Sequence, residues 1–193
     1  WIDELEKALA SGGGDGGTVR EVLRHAEVRR CVMVEIDGDV VDVCQQHLPT
    51  IGTAWDDPRL DVQIGDGAVF VDSCEAAEFD VILVDGADPI GPAAVLFSAV
   101  FFGGCKRILR PGGVICAQGG SPTVQAAEHV GAIRAMGQHF RAVAPLYAPV
   151  GIYPGGAWSF IWASDSTADP RSPQTDRVSA IVDGCAWYNA EVH

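Results

Sequence analysis

Short apolar runs of strand length alternate along this chain with stretches of helical period, the pattern of a parallel sheet flanked by helices. Cys31 to Asp37 reads as a buried strand ending in acids, Leu60 to Ile64 as a short alternating strand, and Phe79 to Val84 and Val114 to Gln118 as two more buried strands. Val19 to His25, Asp39 to Leu48, Phe97 to Leu109 and Gln125 to Phe140 read as helices, and a short helix follows the turn Gly65-Asp66-Gly67 through Val71. Arg110-Pro111-Gly112-Gly113 is a strong breaker that stops the helix before it and leads into the strand after it. Ala142 to Pro149 and Ser159 to Ser164 are late strands joined by the loop Gly151 to Trp158. A polar, proline-containing loop precedes a terminal helix near Asp176 to Cys185. The segment Asp3-Glu4-Leu5-Glu6-Lys7-Ala8-Leu9 has helical propensity, yet the element order calls for a central first strand, so a short strand is expected around Leu5 to Ala10. The whole implies one doubly wound, mostly parallel α/β domain over residues 1–193, with ligands beyond the carboxyl ends of the strands.

Composition narrows the partners. With 193 residues, 48% of them hydrophobic, the chain can bury one substantial core. Thirteen Lys and Arg against 26 Asp and Glu give a formal net charge of −13, which argues against nucleic acid or an anionic membrane surface and favours small cations. No apolar run approaches the roughly twenty residues of a membrane span, and no basic-then-apolar leader opens the sequence. The six cysteines contain no C-x-x-C pair, so reduced core residues in a cytoplasmic protein are expected. The five histidines show no ligand spacing, and no metal is expected. Trp1, Trp55, Trp162 and Trp187 read as packing residues.

Two loops carry the candidate chemistry: Gly12-Gly13-Gly14-Asp15-Gly16-Gly17 and Asp85-Gly86-Ala87-Asp88-Pro89-Ile90-Gly91-Pro92-Ala93. Polyglycine lets backbone approach a ligand, but an acid inside the turn repels phosphate, so the expected ligand is cationic. Glu35 ends the second strand, where a carboxylate takes both hydroxyls of a ribose. Asp66 ends the third, where it can accept from the exocyclic amine of adenine. Helix capping is the plainer role for Asp37, Asp39 or Asp66. The glycine turn, the acid on the next strand end and Gly-Asp-Gly on the one after together favour nucleoside binding.

On the segments GGGDGGTVREVLRH, VMVEIDGDVVDVCQQHLP, DPRLDVQIGDG, FDVILVDGADPIGPA, LRPGGVICAQ, YPGGAWSF and WYNAEVH, the chain resembles the catalytic domain of the spermidine synthase family. These polyamine aminopropyltransferases share the Rossmann-like class I S-adenosylmethionine-dependent methyltransferase fold. The resemblance implies a transferase that moves the aminopropyl group of decarboxylated S-adenosylmethionine to putrescine or a related polyamine, releasing methylthioadenosine. It places Gly12 and Gly14 at the cofactor, Asp15 on the amine of the aminopropyl arm, Glu35 on the ribose, and Asp66 with Gly67 on the adenine, beside Pro92 and Ala93. Asp85 becomes the acid that accepts or orients the attacking amine's proton and Asp88 the anchor of the acceptor. Gln118 and Tyr153 contact the acceptor, Trp158 packs near the aminopropyl pocket, and a homodimer is implied.

This chain departs from the family pattern at Gly86-Ala87, where hydroxyl residues usually separate the two acids, and at Gln118-Gly119-Gly120-Ser121, where an acid often follows the glutamine. Only eleven residues precede the glycine loop, so the family's N-terminal β region is expected to be absent, and the chain stops at His193 where the family continues. Two other readings follow. One is a non-catalytic nucleoside-binding or regulatory remnant of the family. The other is a methyltransferase, disfavoured because Asp15 would repel the carboxylate of intact S-adenosylmethionine.

Overall fold

A computed structural model describes residues 5–167, 169–185, 188, 189 and 191. Its seven-stranded sheet runs in the order β3-β2-β1-β4-β5-β7-β6. The strands are β1 (Lys7–Gly12), β2 (Arg30–Glu35), β3 (Leu60–Ile64), β4 (Phe79–Asp85), β5 (Leu109–Gly120), β6 (Ala142–Pro149) and β7 (Ala157–Ser164). β1 to β5 pair in parallel, and β7 runs antiparallel to both its neighbours. The helices are α1 (Gly17–Leu23), α2 (Gly38–His47), α3 (Gly67–Ser73), α4 (Ala99–Ile108), α5 (Ala126–Met136) and α6 (Thr175–Ile181). The strand order reverses between β1 and β4, so the ligand crevice of a doubly wound sheet falls at their carboxyl ends.

The first strand forms despite the helical propensity of its sequence. Ala8, Leu9, Ala10 and Ser11 are buried between β2 and β4, where paired backbone outweighs a propensity worth tenths of a kcal/mol per residue. Asp80, itself buried, accepts from the backbone N–H of Glu6 and Lys7 and from Arg110, which fixes where the strand begins. One face of the sheet packs Leu9, Ile82 and Ile115 against Phe102, Ile108 and Met136 of α4 and α5. The other packs Ala8, Ala10, Cys31 and Met33 against Val19, Val22 and Leu23 of α1.

Three expectations are corrected. Arg110-Pro111-Gly112-Gly113 follows the end of α4 at Ile108 but lies inside the strand expected to start at Val114, because β5 starts at Leu109. Leu109 lies opposite Phe79 and Val114 opposite Val81, so the four residues between them bulge against the single residue Asp80. Gly112 takes the positive φ of 81° that this bulge needs. The helix expected from Phe97 is divided instead: a 3₁₀ segment covers Gly91–Phe97, and α4 begins after Ser98, whose Oγ accepts from the N–H of Phe101. The terminal helix ends at Ile181 rather than Cys185, passing into a 3₁₀ turn at Val182–Gly184. Trp1, Ala186, Trp187, Ala190, Val192 and His193 lie outside the described residues. Trp162 is core, and Trp55 lies under the glycine loop, where a Cβ on Gly16 would come within 2.5 Å of its ring.

Candidate active site

The parallel pairing of β1 with β4 sets Gly12 directly opposite Asp85 at the switch point. The chain can turn there only without a side chain. Gly12 has φ 85°, and a Cβ on it would sit 2.2 Å from the carbonyl oxygen of Asp85. The loop continues through Gly16, also at positive φ, into α1. A Cβ on Gly14 would lie 3.0 Å from Glu35 Oε2, so the carboxylate ending β2 lies against the glycine loop. The other Glu35 oxygen accepts from the N–H of Asp37 at 3.2 Å.

Asp15 is half-buried and accepts from the N–H of Gly17 at 2.8 Å. Asp66 caps α3, its Oδ1 accepting from Ala68 and Val69, so the capping role weighed for it from the sequence is present. The adjoining Gly67 approaches β1 so closely that a Cβ would fall 2.5 Å from Ser11 Oγ. Pro92 and Ala93 belong to the 3₁₀ segment that also carries Leu96. Leu96 lies within 3.7 Å of the Cβ positions of both Gly67 and Gly86, closing the space between the acid loop and the start of α3.

Asp85, Asp88, Gln118, Tyr153 and Trp158 line one cavity of about 590 Å³ together with Ser121 and Phe160. Here the structure gathers residues drawn from β4, β5, β7 and three loops. Gln118 is buried and holds two parts of the wall at once. Its Nε2 donates to the carbonyl of Gly86, and its Oε1 accepts from Trp158 Nε1 at 3.1 Å. Tyr153 stacks on Trp158 with ring centroids 4.1 Å apart. Ser121 Oγ donates to the carbonyl of Pro154 at 3.0 Å, tying the Tyr153 loop to the end of β5.

A second cavity, about 940 Å³, lies on the α1 side of the sheet and is bordered by Asp15, Thr18 and Asp85. Asp85 is therefore common to both cavities. Behind Asp15 and Asp85 the lining turns apolar, with Val81, Leu83 and Cys116. Burial pushes the Cys116 thiol up to about 12, so it stays a neutral thiol. Burial also lowers the pKa of His25, against an opposing pull from Glu27.

Thr18, Leu96 and Ser121 were not singled out from the sequence. Thr18 sits one residue inside α1, and its Oγ1 donates to Asp85 Oδ2 at 2.6 Å. Its only sequence signal is its place just after the glycine loop. Leu96 and Ser121 carry none, since their positions depend on how distant loops fold back.

Residues 2–172 match the family model described as Spermine/spermidine synthase domain. The polyamine aminopropyltransferase of Prochlorococcus marinus (strain MIT 9313) is 45% identical over 187 residues, covering 96% of this chain and 65% of that protein. The polyamine aminopropyltransferase of Klebsiella pneumoniae (strain 342) is 43% identical over 190 residues, with 96% and 66% covered. A solved spermidine synthase in complex with the transition state analogue AdoDATO superposes with a TM-score of 0.94 at 32% identity, covering 100% of this chain and 66% of that one. Spermidine synthase from Thermotoga maritima gives 0.92 at 32% identity, with 100% and 65% covered. The chain thus spans about two thirds of the length of the relatives it matches. With the family model matched across most of its length and the strand order of a class I methyltransferase-like sheet, the chain belongs to the spermine/spermidine synthase family.

Proposed function

We propose that the protein transfers the aminopropyl group of decarboxylated S-adenosylmethionine to putrescine or a related polyamine, giving spermidine or a longer polyamine and methylthioadenosine. The observation that carries this reading is the position of Asp85, opposite Gly12 at the switch point and in the wall of the cavity that also holds Asp88, Gln118, Tyr153 and Trp158. A carboxylate there stands between the glycine loop, which would hold the donor, and the cavity that would take the acceptor. Residues 1–193 act in this reading as one catalytic unit.

The glycine loop and Glu35 hold the nucleoside and its ribose, with Asp66, Gly67, Pro92 and Ala93 around the adenine. Asp15 attracts the ammonium of the aminopropyl arm. Asp88, Tyr153 and Trp158 receive the acceptor, and Gln118 keeps the wall in place. An alkylamine has a pKa of roughly 10 and arrives protonated, so it must lose a proton before it can attack. Asp85 takes that proton. The amine's lone pair forms the new C–N bond, and the C–S bond electrons return to sulfur, leaving the neutral thioether of methylthioadenosine. Alignment of nitrogen, carbon and sulfur supplies much of the remaining acceleration.

Release of methylthioadenosine from the two substrates tests the reading. Asp85→Asn is expected to lower kcat about 10³-fold while leaving nucleoside affinity nearly unchanged. A loss of less than tenfold would remove Asp85 from the role of base. Binding of methylthioadenosine without turnover in the wild-type protein would favour the nucleoside-binding remnant.

The methyltransferase reading is separated by titrating decarboxylated and intact S-adenosylmethionine in parallel. Asp15→Asn should narrow the preference for the decarboxylated form by about tenfold. An unchanged preference would discard the charge argument. A homodimer in the cytoplasm belongs to the same proposal. Among the described residues no helix is long and apolar enough to cross a membrane, and sedimentation velocity would decide the oligomeric state.

A further inference from the structure

The loop that carries Asp85 offers it little help. Gly86 and Ala87 follow it without a hydroxyl, and Asp85 itself is exposed at the end of β4. Its side-chain hydrogen bond comes from a different element, through Thr18 Oγ1 donating to Oδ2 at 2.6 Å. That contact is built by the fold. Gly16, at φ 78°, starts α1 so that Thr18 falls in its first turn, facing the end of β4. Gly13, at φ 76°, leaves the gap between the two side chains open. A Cβ on it would stand 3.2 Å from Asp85 Oδ2 and 3.4 Å from Thr18 Cβ.

We infer that Thr18 is a positioning residue for Asp85, its hydroxyl tying Oδ2 to α1 and leaving Oδ1 to receive the proton of the attacking amine. The inference rests on the reading of Asp85 as the base. An exposed carboxylate turns freely about its last torsion, and a transfer that needs amine, carbon and sulfur in line gains from a base held in one orientation. The hydroxyls expected at positions 86 and 87 are absent, and α1 supplies one instead. Because Thr18 acts through Asp85, its loss should slow the chemical step and leave the binding of either substrate almost untouched.

Thr18→Val keeps the branching and volume and removes the donor, whereas Thr18→Ser keeps the donor. The expected result is a kcat about tenfold lower in Thr18→Val, with KM for both substrates within about twofold and most of the rate restored in Thr18→Ser. A readout independent of turnover is the ¹³C carboxyl resonance of Asp85 in aspartate-labelled protein, identified by its disappearance in Asp85→Asn. It should move in Thr18→Val and stay in place in Thr18→Ser. Equal kcat in all three proteins, an equal loss in both variants, or an unmoved resonance in Thr18→Val would overturn the inference. A wild-type protein with no aminopropyl transfer would strike at the reaction instead, and the resonance would still decide whether Thr18 holds Asp85.

Discussion

At the scale of single residues, Gln118 shows how a side chain that looks like a ligand contact also serves as a strut. Both ends of its buried amide are occupied by the protein, one by the acid loop at Gly86 and the other by the indole of Trp158. Replacing it by leucine would strand the Trp158 N–H and a backbone carbonyl. Unpartnered groups of this kind cost about 1–3 kcal/mol each. Gln118→Leu is therefore expected to destabilise the protein by about 2 kcal/mol in urea titration and to alter the Trp158 fluorescence as the Tyr153 stack loosens. Unchanged stability with a raised acceptor KM would mean that Gln118 serves the ligand and not the wall. The sequence displayed part of this site. Gly12, Asp15, Glu35 and Asp85 were legible because a glycine turn or a strand end fixes where each must lie. Thr18, Leu96 and Ser121 were not, because their contacts join elements far apart in the chain, and no local pattern records which helix face or loop turns toward Asp85, Gly67 or Pro154.

At the scale of elements, periodicity located β3 and β6 to the residue, since an alternating run bounded by turns has one plausible length. It failed where punctuation has two uses. Pro111 and the glycines after it end helices in most settings, but four residues facing one carry no ladder partner in β4 or β7, so a proline is tolerated inside β5. β1 was legible only from topology, its own composition pointing to helix. Glycine inside α5 is a third case. Gly131 lies mid-helix, exposed, and a Cβ there would meet nothing within 4 Å. Gly131→Ala is accordingly expected to stabilise the protein by about 0.5–1 kcal/mol, read as a higher urea midpoint with unchanged slope. A lower midpoint would mean that α5 bends at this position. Gly12 gives the opposite expectation. Gly12→Ala places a methyl 2.2 Å from a backbone oxygen at positive φ, and soluble folded protein should be lost.

At the scale of the whole molecule, the layer between the sheet and α1 sets a limit on stability in alkali. Cys31 of β2 is fully buried in that layer, and its burial outweighs nearby Arg59 to push the thiol from an ordinary 9.0 up to about 12. Cys105, on the buried face of α4, is displaced in the same direction. A group whose pKa is higher in the folded chain than in the unfolded one contributes stability that is complete below the unfolded value and is lost as pH rises through the folded value. For Cys31 the loss runs from about pH 9 to about pH 12, with a slope of up to about 1.4 kcal/mol per pH unit. Cys31→Ala removes the thiol at the expense of a small cavity, about 1 kcal/mol at neutral pH. The variant should therefore start about 1 kcal/mol less stable at pH 7, cross the wild type near pH 10 and be the more stable of the two as the pH approaches 12, a crossing visible in urea midpoints measured at several pH values. Parallel declines would mean that the thiol ionises as easily in the folded chain as in the unfolded one, which would require water or a cation to reach the β2 face beneath α1.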